Sequence, residues 1–262
     1  MRERAMRLSR TSTLTALLAV TVTAASTGTA QAVDPNSQAE AIADQISDIA
    51  PGVEIATALD LGESLLAAVE NGYVSVPNSP AASVNITPLA EGVPDLAASL
   101  PQLEGAASAR LSDDGTVVYT SEDAASLAVQ PLADGWTRFL SVLEDHSAPS
   151  AYDYVLEGAQ LELLDDGSVS VTQDGAETAR IDAPWALDAE GAAVPTHYEV
   201  NGDTLTQVVD HAVAGFSYPI TADPKISHGW GIYFHFNRTE TKLFASYGVD
   251  GMYWDYTAIG VE

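Results

Sequence analysis

The chain has 262 residues, 46% of them apolar, with 37 acidic against 10 basic side chains and no cysteine. A formal net charge of −27 sets it against nucleic acid and anionic membrane surfaces, because phosphate contacts need Lys and Arg to displace counterions. Without cysteine there are no disulfides, no thiolate chemistry and no Cys-ligated zinc, so stability must come from a packed core.

Residues 1–32 read as a secretory signal peptide. Arg2, Arg4, Arg7 and Arg10 precede the short apolar run Leu14–Val22, and a small-residue stretch ends in Ala30-Gln31-Ala32. The run is too short for a stable membrane anchor, and no later run approaches membrane-spanning length. The expected mature chain starts at Val33, outside the cytoplasm. It keeps 6 basic and 36 acidic residues, a formal charge of −30.

Residues 33–76 are expected to hold two short helices. Ser37-Gln38-Ala39-Glu40 has capping-box spacing, Ile42, Ile46 and Ile49 fall on one helical face, and Pro51-Gly52 ends the run. Leu61, Leu65, Leu66 and Val69 give a second helical stripe over 59–70, which stops at Asn71-Gly72. Residues 77–105 carry five of the 13 prolines and read as a linker with one embedded strand at Val84-Asn85-Ile86.

From 106 to 224 the pattern is β. The pairs Asp114-Gly115, Asp134-Gly135, Asp166-Gly167, Asp174-Gly175, Glu190-Gly191 and Asn201-Gly202 supply the positive φ angles of tight hairpins, with short alternating runs between them. Strands spaced by about ten residues predict a mainly β fold, an antiparallel sandwich or open barrel, with short N-terminal helices. Residues 225–262 differ sharply. They hold nine of the 19 aromatics and carry a net charge of −1, against −29 for 33–224, so Ala222-Asp223-Pro224 reads as a joint before an aromatic-rich C-terminal segment.

Several residues together resemble a module common in uncharacterised secreted proteins of actinobacteria. They are Asp182-Ala183-Pro184-Trp185-Ala186, Asp188-Ala189-Glu190-Gly191, Val194-Pro195-Thr196-His197-Tyr198-Glu199-Val200, Leu205-Thr206-Gln207-Val208-Val209, Tyr218-Pro219-Ile220 and Ala222-Asp223-Pro224. The Asp166–Val171 hairpin, Trp230 and Phe236–Thr241 fit the same module, so the resemblance covers about residues 105–242. It implies a β-rich body followed by a variable C-terminal region, and it implies no catalytic residues.

Motifs that carry chemistry are sparse. None of the five histidines stands in a ligand spacing, although His197, Glu199 and His211 flank one predicted hairpin and His197 and His211 lie toward its open end. That arrangement is read first as a polar pair on the solvated face. Asp113-Asp114-Gly115 and Asp165-Asp166-Gly167 are read as hairpin turns before calcium loops. There is no G-x-S-x-G elbow, and the spacing of Ser, His and Asp gives no triad. The candidate interaction surface is aromatic: Trp230, Tyr233, His235, Tyr253, Trp254 and Tyr256, rings of the kind that stack on sugars or sit at membrane interfaces. The expected function is a secreted, non-enzymatic module that presents or escorts its C-terminal segment, with no cofactor or metal and no nucleic-acid partner. Its candidate partner is a cell-envelope component or glycan. The alternatives are a small antibacterial or envelope-active effector, and a hydrolase with an unrecognised site.

Overall fold

A computed structural model describes residues 34–212 and 215–228 of the chain. The candidate interaction residues Trp230, Tyr233, His235, Tyr253, Trp254 and Tyr256 lie outside the described residues, as does the expected signal peptide.

A single helix, α1 (Pro35–Ile49), opens the described chain. Its N-cap is Asp34, whose side chain accepts from the Asn36 amide at 3.1 Å, with Pro35 in the first turn. The capping box expected at Ser37 does not set the start. Pro35 has a helix-compatible φ and begins the helix three residues earlier, and the Glu40 carboxylate accepts from the Asp113 amide instead. Ala39, Ile42, Ala43 and Ile46 form the buried stripe.

The second expected helix is a hairpin. Residues 59–70 fall in β1 (Ala58–Asp60) and β2 (Ser64–Val69), which pair antiparallel with each other and continue into β3 (Gly72–Pro77), β4 (Val84–Pro88) and β5 (Leu96–Ala98) as a five-stranded sheet. The last two strands occupy the stretch read as a linker. Leu96, Ala98 and Leu100 are buried there, and the prolines punctuate strand ends rather than an extended tether. Leu65, Ala67, Val74, Val76, Val84 and Ile86 alternate onto the buried face.

The rest is antiparallel β. Strands β6 (Arg110–Leu111), β7 (Val117–Thr120), β8 (Ala125–Pro131) and β9 (Trp136–Leu143) form a meander, followed by β10 (Ala151–Val155), β11 (Gln160–Leu163), β12 (Val169–Gln173) and β13 (Ala176–Ile181). Next come β14 (Ala186–Leu187), β15 (Thr196–Asn201), β16 (Thr204–Val209), β17 (Ile220–Ala222) and β18 (Lys225–His228). The large sheet runs β11-β12-β13-β18-β9-β8-β7-β6, with β14 and β17 beside it, and β10-β16-β15 form a separate three-stranded sheet. The described residues are thus mainly β, in antiparallel sheets packed sandwich-like, with no closed barrel. Turn chemistry fixes the hairpins. Asp174 and Gly175 both take positive φ (51° and 81°) in a two-residue loop between paired Gln173 and Ala176, while Gly202 (φ 64°) leads the loop between paired Asn201 and Thr204.

One core joins the three sheets. Phe139 and Leu143 of β9, Val117, Tyr119, Leu127 and Val129 of its neighbours, the inner face of the five-stranded sheet and Tyr152, Tyr154 and Leu205 of the three-stranded sheet all belong to it. The opposite face of the meander carries Val118, Ala128, Leu140 and Val142, and α1 covers it through Ala39, Ile42 and Ile46. With both faces covered, β8 is buried at every position, so its polar residues sit inside as well.

The joint expected at Ala222-Asp223-Pro224 is not a boundary. Strands β17 and β18 pair with β9 in one unbroken register, from Ile220 opposite Leu143 to Ser227 opposite Trp136. The Pro224 carbonyl accepts from the Phe139 amide at 2.8 Å, and proline forfeits only its own ladder donor. The run β17–β18 therefore carries the chain through the middle of the large sheet.

Candidate functional site

Two polar constellations stand out. The first is built on the three-stranded sheet, whose inner face carries Tyr152, Gln207 and Tyr198 as direct cross-strand partners on one rung, all buried. Gln207 Nε2 donates to the Thr196 hydroxyl (3.3 Å) and to the Trp185 carbonyl (3.4 Å), while Gln207 Oε1 and the Tyr152 and Tyr198 hydroxyls have no hydrogen-bond partner among the described residues. The Tyr154 hydroxyl meets Ser141 Oγ at 3.1 Å, and its ring stands edge-on to Phe139. Burial pushes the Tyr119, Tyr152, Tyr154 and Tyr198 hydroxyls well above the ordinary phenol range, which keeps them protonated and unable to act as bases.

Trp185 links this rung to a buried charge cluster. Its amide donates to Asp223 Oδ1 at 3.0 Å, and its carbonyl accepts from the Asp223 amide at 3.3 Å. Its ring lies 5.8 Å from the Arg138 guanidinium carbon. Arg138 is only 8% exposed; it donates to the Ala50 carbonyl at 3.2 Å and more weakly to Gln130 at 3.4 Å. Asp223 is fully buried, and its Oδ2 has no hydrogen-bond partner among the described residues. Burial pushes the Asp223 carboxyl up to about 8, against the opposing pull of the Trp185 amide and the Arg138 charge. The cluster is chemically a proton-holding carboxyl inside the fold.

The second constellation is Ser150, His211 and Tyr218. Ser150 Oγ lies 3.2 Å from His211 Nε2, and His211 Nδ1 lies 2.7 Å from the Tyr218 hydroxyl, which donates to the His211 carbonyl at 3.1 Å. With the Tyr218 proton on that carbonyl, Nδ1 donates to Tyr218 and Nε2 accepts from Ser150; with it on Nδ1, the roles reverse and Nε2 donates to Ser150. Ser150 is exposed and His211 buried. The order nucleophile, base and orienting group is that of acyl-transfer sites, with a phenol where those sites commonly hold a carboxylate.

The other sequence candidates are dispersed. His197 stays on the surface, 3.7 Å from Glu199, whereas His211 turns inward to Ser150 and Tyr218, so the two do not share a partner. The Asp114 carboxylate accepts from the Thr116 amide and from the Ser112 and Thr116 hydroxyls, and Asp166 accepts from Ser168. Both acids close their own turns. His228 is buried and donates from Nε2 to the Pro94 carbonyl at 3.0 Å. Among the described residues, no three His, Asp or Glu side chains group as a metal site, and no helix is long and apolar enough to cross a membrane. The chain matches no protein-family model and no curated protein.

Proposed function

We propose that the chain is a secreted, non-enzymatic extracellular module whose β-rich body presents or escorts the segment from residue 229 onward, at the cell surface or in the environment. The observation that carries the reading is the position of β18. Lys225–His228 lies between β13 and β9, so the aromatic-rich remainder is attached to an interior strand of the large sheet rather than to a loose end. The tripartite N-terminus and the resemblance to secreted actinobacterial modules support export. The fitting partner is a cell-envelope component or glycan, because ring faces and a near-neutral segment suit an uncharged surface.

Export is expected to remove residues 1–32. Mass spectrometry of culture supernatant should find a chain starting at Val33, and a full-length product confined to the cytoplasm would sink the localisation.

For the interaction role, Trp254→Ala with Tyr256→Ala should abolish binding to cells or isolated envelope while leaving the melting curve unchanged. If instead the double variant loses about 3 kcal/mol or more of stability, the rings are core and the presenting role fails. Covalent capture of Ser150 by an organophosphonate, absent from His211→Gln, would replace the non-enzymatic reading with that of a hydrolase.

A further inference from the structure

Helix α1 rests on few attachments. Its 15 residues are a length at which a helix alone in water is marginal, so docking decides whether it forms. Four side chains are buried, Ala39, Ile42, Ala43 and Ile46, and only two of them are large. The polar ties among the described residues are the Asp113 amide to the Glu40 carboxylate (3.0 Å), Gln45 Nε2 to the Thr221 hydroxyl (3.4 Å) and the Arg138 guanidinium to the Ala50 carbonyl (3.2 Å). Charge works against the helix. Glu40, Asp44 and Asp48 repeat every four residues along one side, where like charges repel. Asp48 also stands in the last turn, which holds no basic residue, beside the negative end of the helix dipole. Among the described residues none of the three forms an ion pair.

Beneath α1 lies an apolar face: Val118 of β7, Ala128 of β8, and Leu140 and Val142 of β9, with Trp185 packed against them. We infer that α1 is a strap that opens and closes over this face while the sheets stay folded, and that ionic strength sets the fraction of open molecules. The inference is independent of the presenting role. Opening breaks only the contacts of the helix and leaves every strand pairing intact, so it costs far less than unfolding the body. It uncovers the apolar face and frees Arg138, which is 8% exposed beneath the C-terminus of the helix.

The sign of the salt effect follows from the charges. Facing α1 are Asp113 and Asp114 in the turn after β6, Arg138 under its C-terminus, and Arg110, which lines one surface cavity with Asn36 of the first turn. The two arginines attract at short range. The chain from 33 to 224, however, carries 3 basic against 32 acidic residues, so α1 is pushed away by a body of its own sign. Raising salt from about 0.1 M to about 1 M shortens the screening length from about 10 Å to about 3 Å, which weakens that repulsion and the one within the helix. Two i, i+4 repulsions and the dipole clash together amount to about tenfold in the opening equilibrium. Salt therefore closes the strap.

Hydrogen exchange of the full chain, with and without residues 1–32, read by mass spectrometry and corrected for intrinsic rates, tests this. At about 0.1 M salt, α1 amides should exchange faster than those of β8 and β9. Low urea should barely change their rate, because a local opening exposes little surface. At about 1 M salt they should exchange about tenfold more slowly. Asp48→Lys should produce that slowing without added salt, since it places Lys four residues after Asp44 and a cation in the last turn. Glu162→Lys, the same charge change on β11, should leave α1 within about twofold of wild type. If α1 and β8 amides share one rate and one urea dependence, α1 opens only with the whole body and the proposal is overturned. It is overturned equally if salt leaves α1 exchange unchanged or speeds it. The same holds if Asp48→Lys fails to slow it, or slows it no more than Glu162→Lys does.

Discussion

A chain ending at Pro224 is expected to lose its cooperative unfolding transition, while one ending at His228 keeps it. The four residues between these ends are strand β18, which fills the slot between β9 and β13. Ile226 is fully buried in the core, and Ser227 and His228 are buried beside it. Losing an Ile side chain of this kind costs about 2–5 kcal/mol. Removing the strand also strips Trp136–Arg138 and Ala179–Ile181 of their ladder partners and opens two sheet edges inside the fold. Against a total stability of about 5–15 kcal/mol, that loss consumes much or all of the margin. Urea titrations of residues 33–224 and 33–228, followed by circular dichroism, make the comparison. Equal midpoints would show that β18 is dispensable and that the body ends where the composition changes.

The composition change misleads because it reports charge and aromatic content, whereas strand continuity depends on register. Pro224 reads as a stop in the sequence, yet in the sheet its carbonyl still takes the Phe139 amide. The hairpins were legible for a local reason: Asp174-Gly175 and Asn201-Gly202 need only their own backbone geometry, and both turns form where expected. The 59–70 segment was misread for the opposite reason. Leu65 and Ala67 point inward, but Leu59 and Leu66 occupy the outer face, so apolar residues on both sides hid the period of two and left a helix-like stripe. His211 carried a usable signal, since it continues the inward alternation of Leu205, Gln207 and Val209. Its partners Ser150 and Tyr218 come from other parts of the chain, and spacing cannot reveal them. The same holds for Asp223, whose burial depends on Trp185, 38 residues earlier.

Asp223→Asn is expected to remove a large part of the loss of stability between about pH 4 and about pH 8. In the folded protein burial lifts this carboxyl to about 8; in the unfolded chain it titrates near the ordinary Asp value of about 4. The folded state therefore holds the proton more tightly. Its contribution is complete below about pH 4 and declines as pH rises through the window up to about 8, at a limiting rate of about 1.4 kcal/mol per pH unit. Asp145, Asp166 and Asp188 act in the opposite sense. Hydrogen bonds hold their carboxyls below the ordinary value, so what they contribute is lost as pH falls through that lower range. The difference between wild type and variant isolates Asp223 from them. Asparagine keeps an oxygen to accept the Trp185 amide and stays neutral at every pH. The variant should match wild type near pH 4 and exceed it by several kcal/mol at pH 8, measured as unfolding free energy in urea. Parallel pH profiles for the two proteins would mean that the Asp223 carboxylate is ionised in the folded state, with the Arg138 charge outweighing burial.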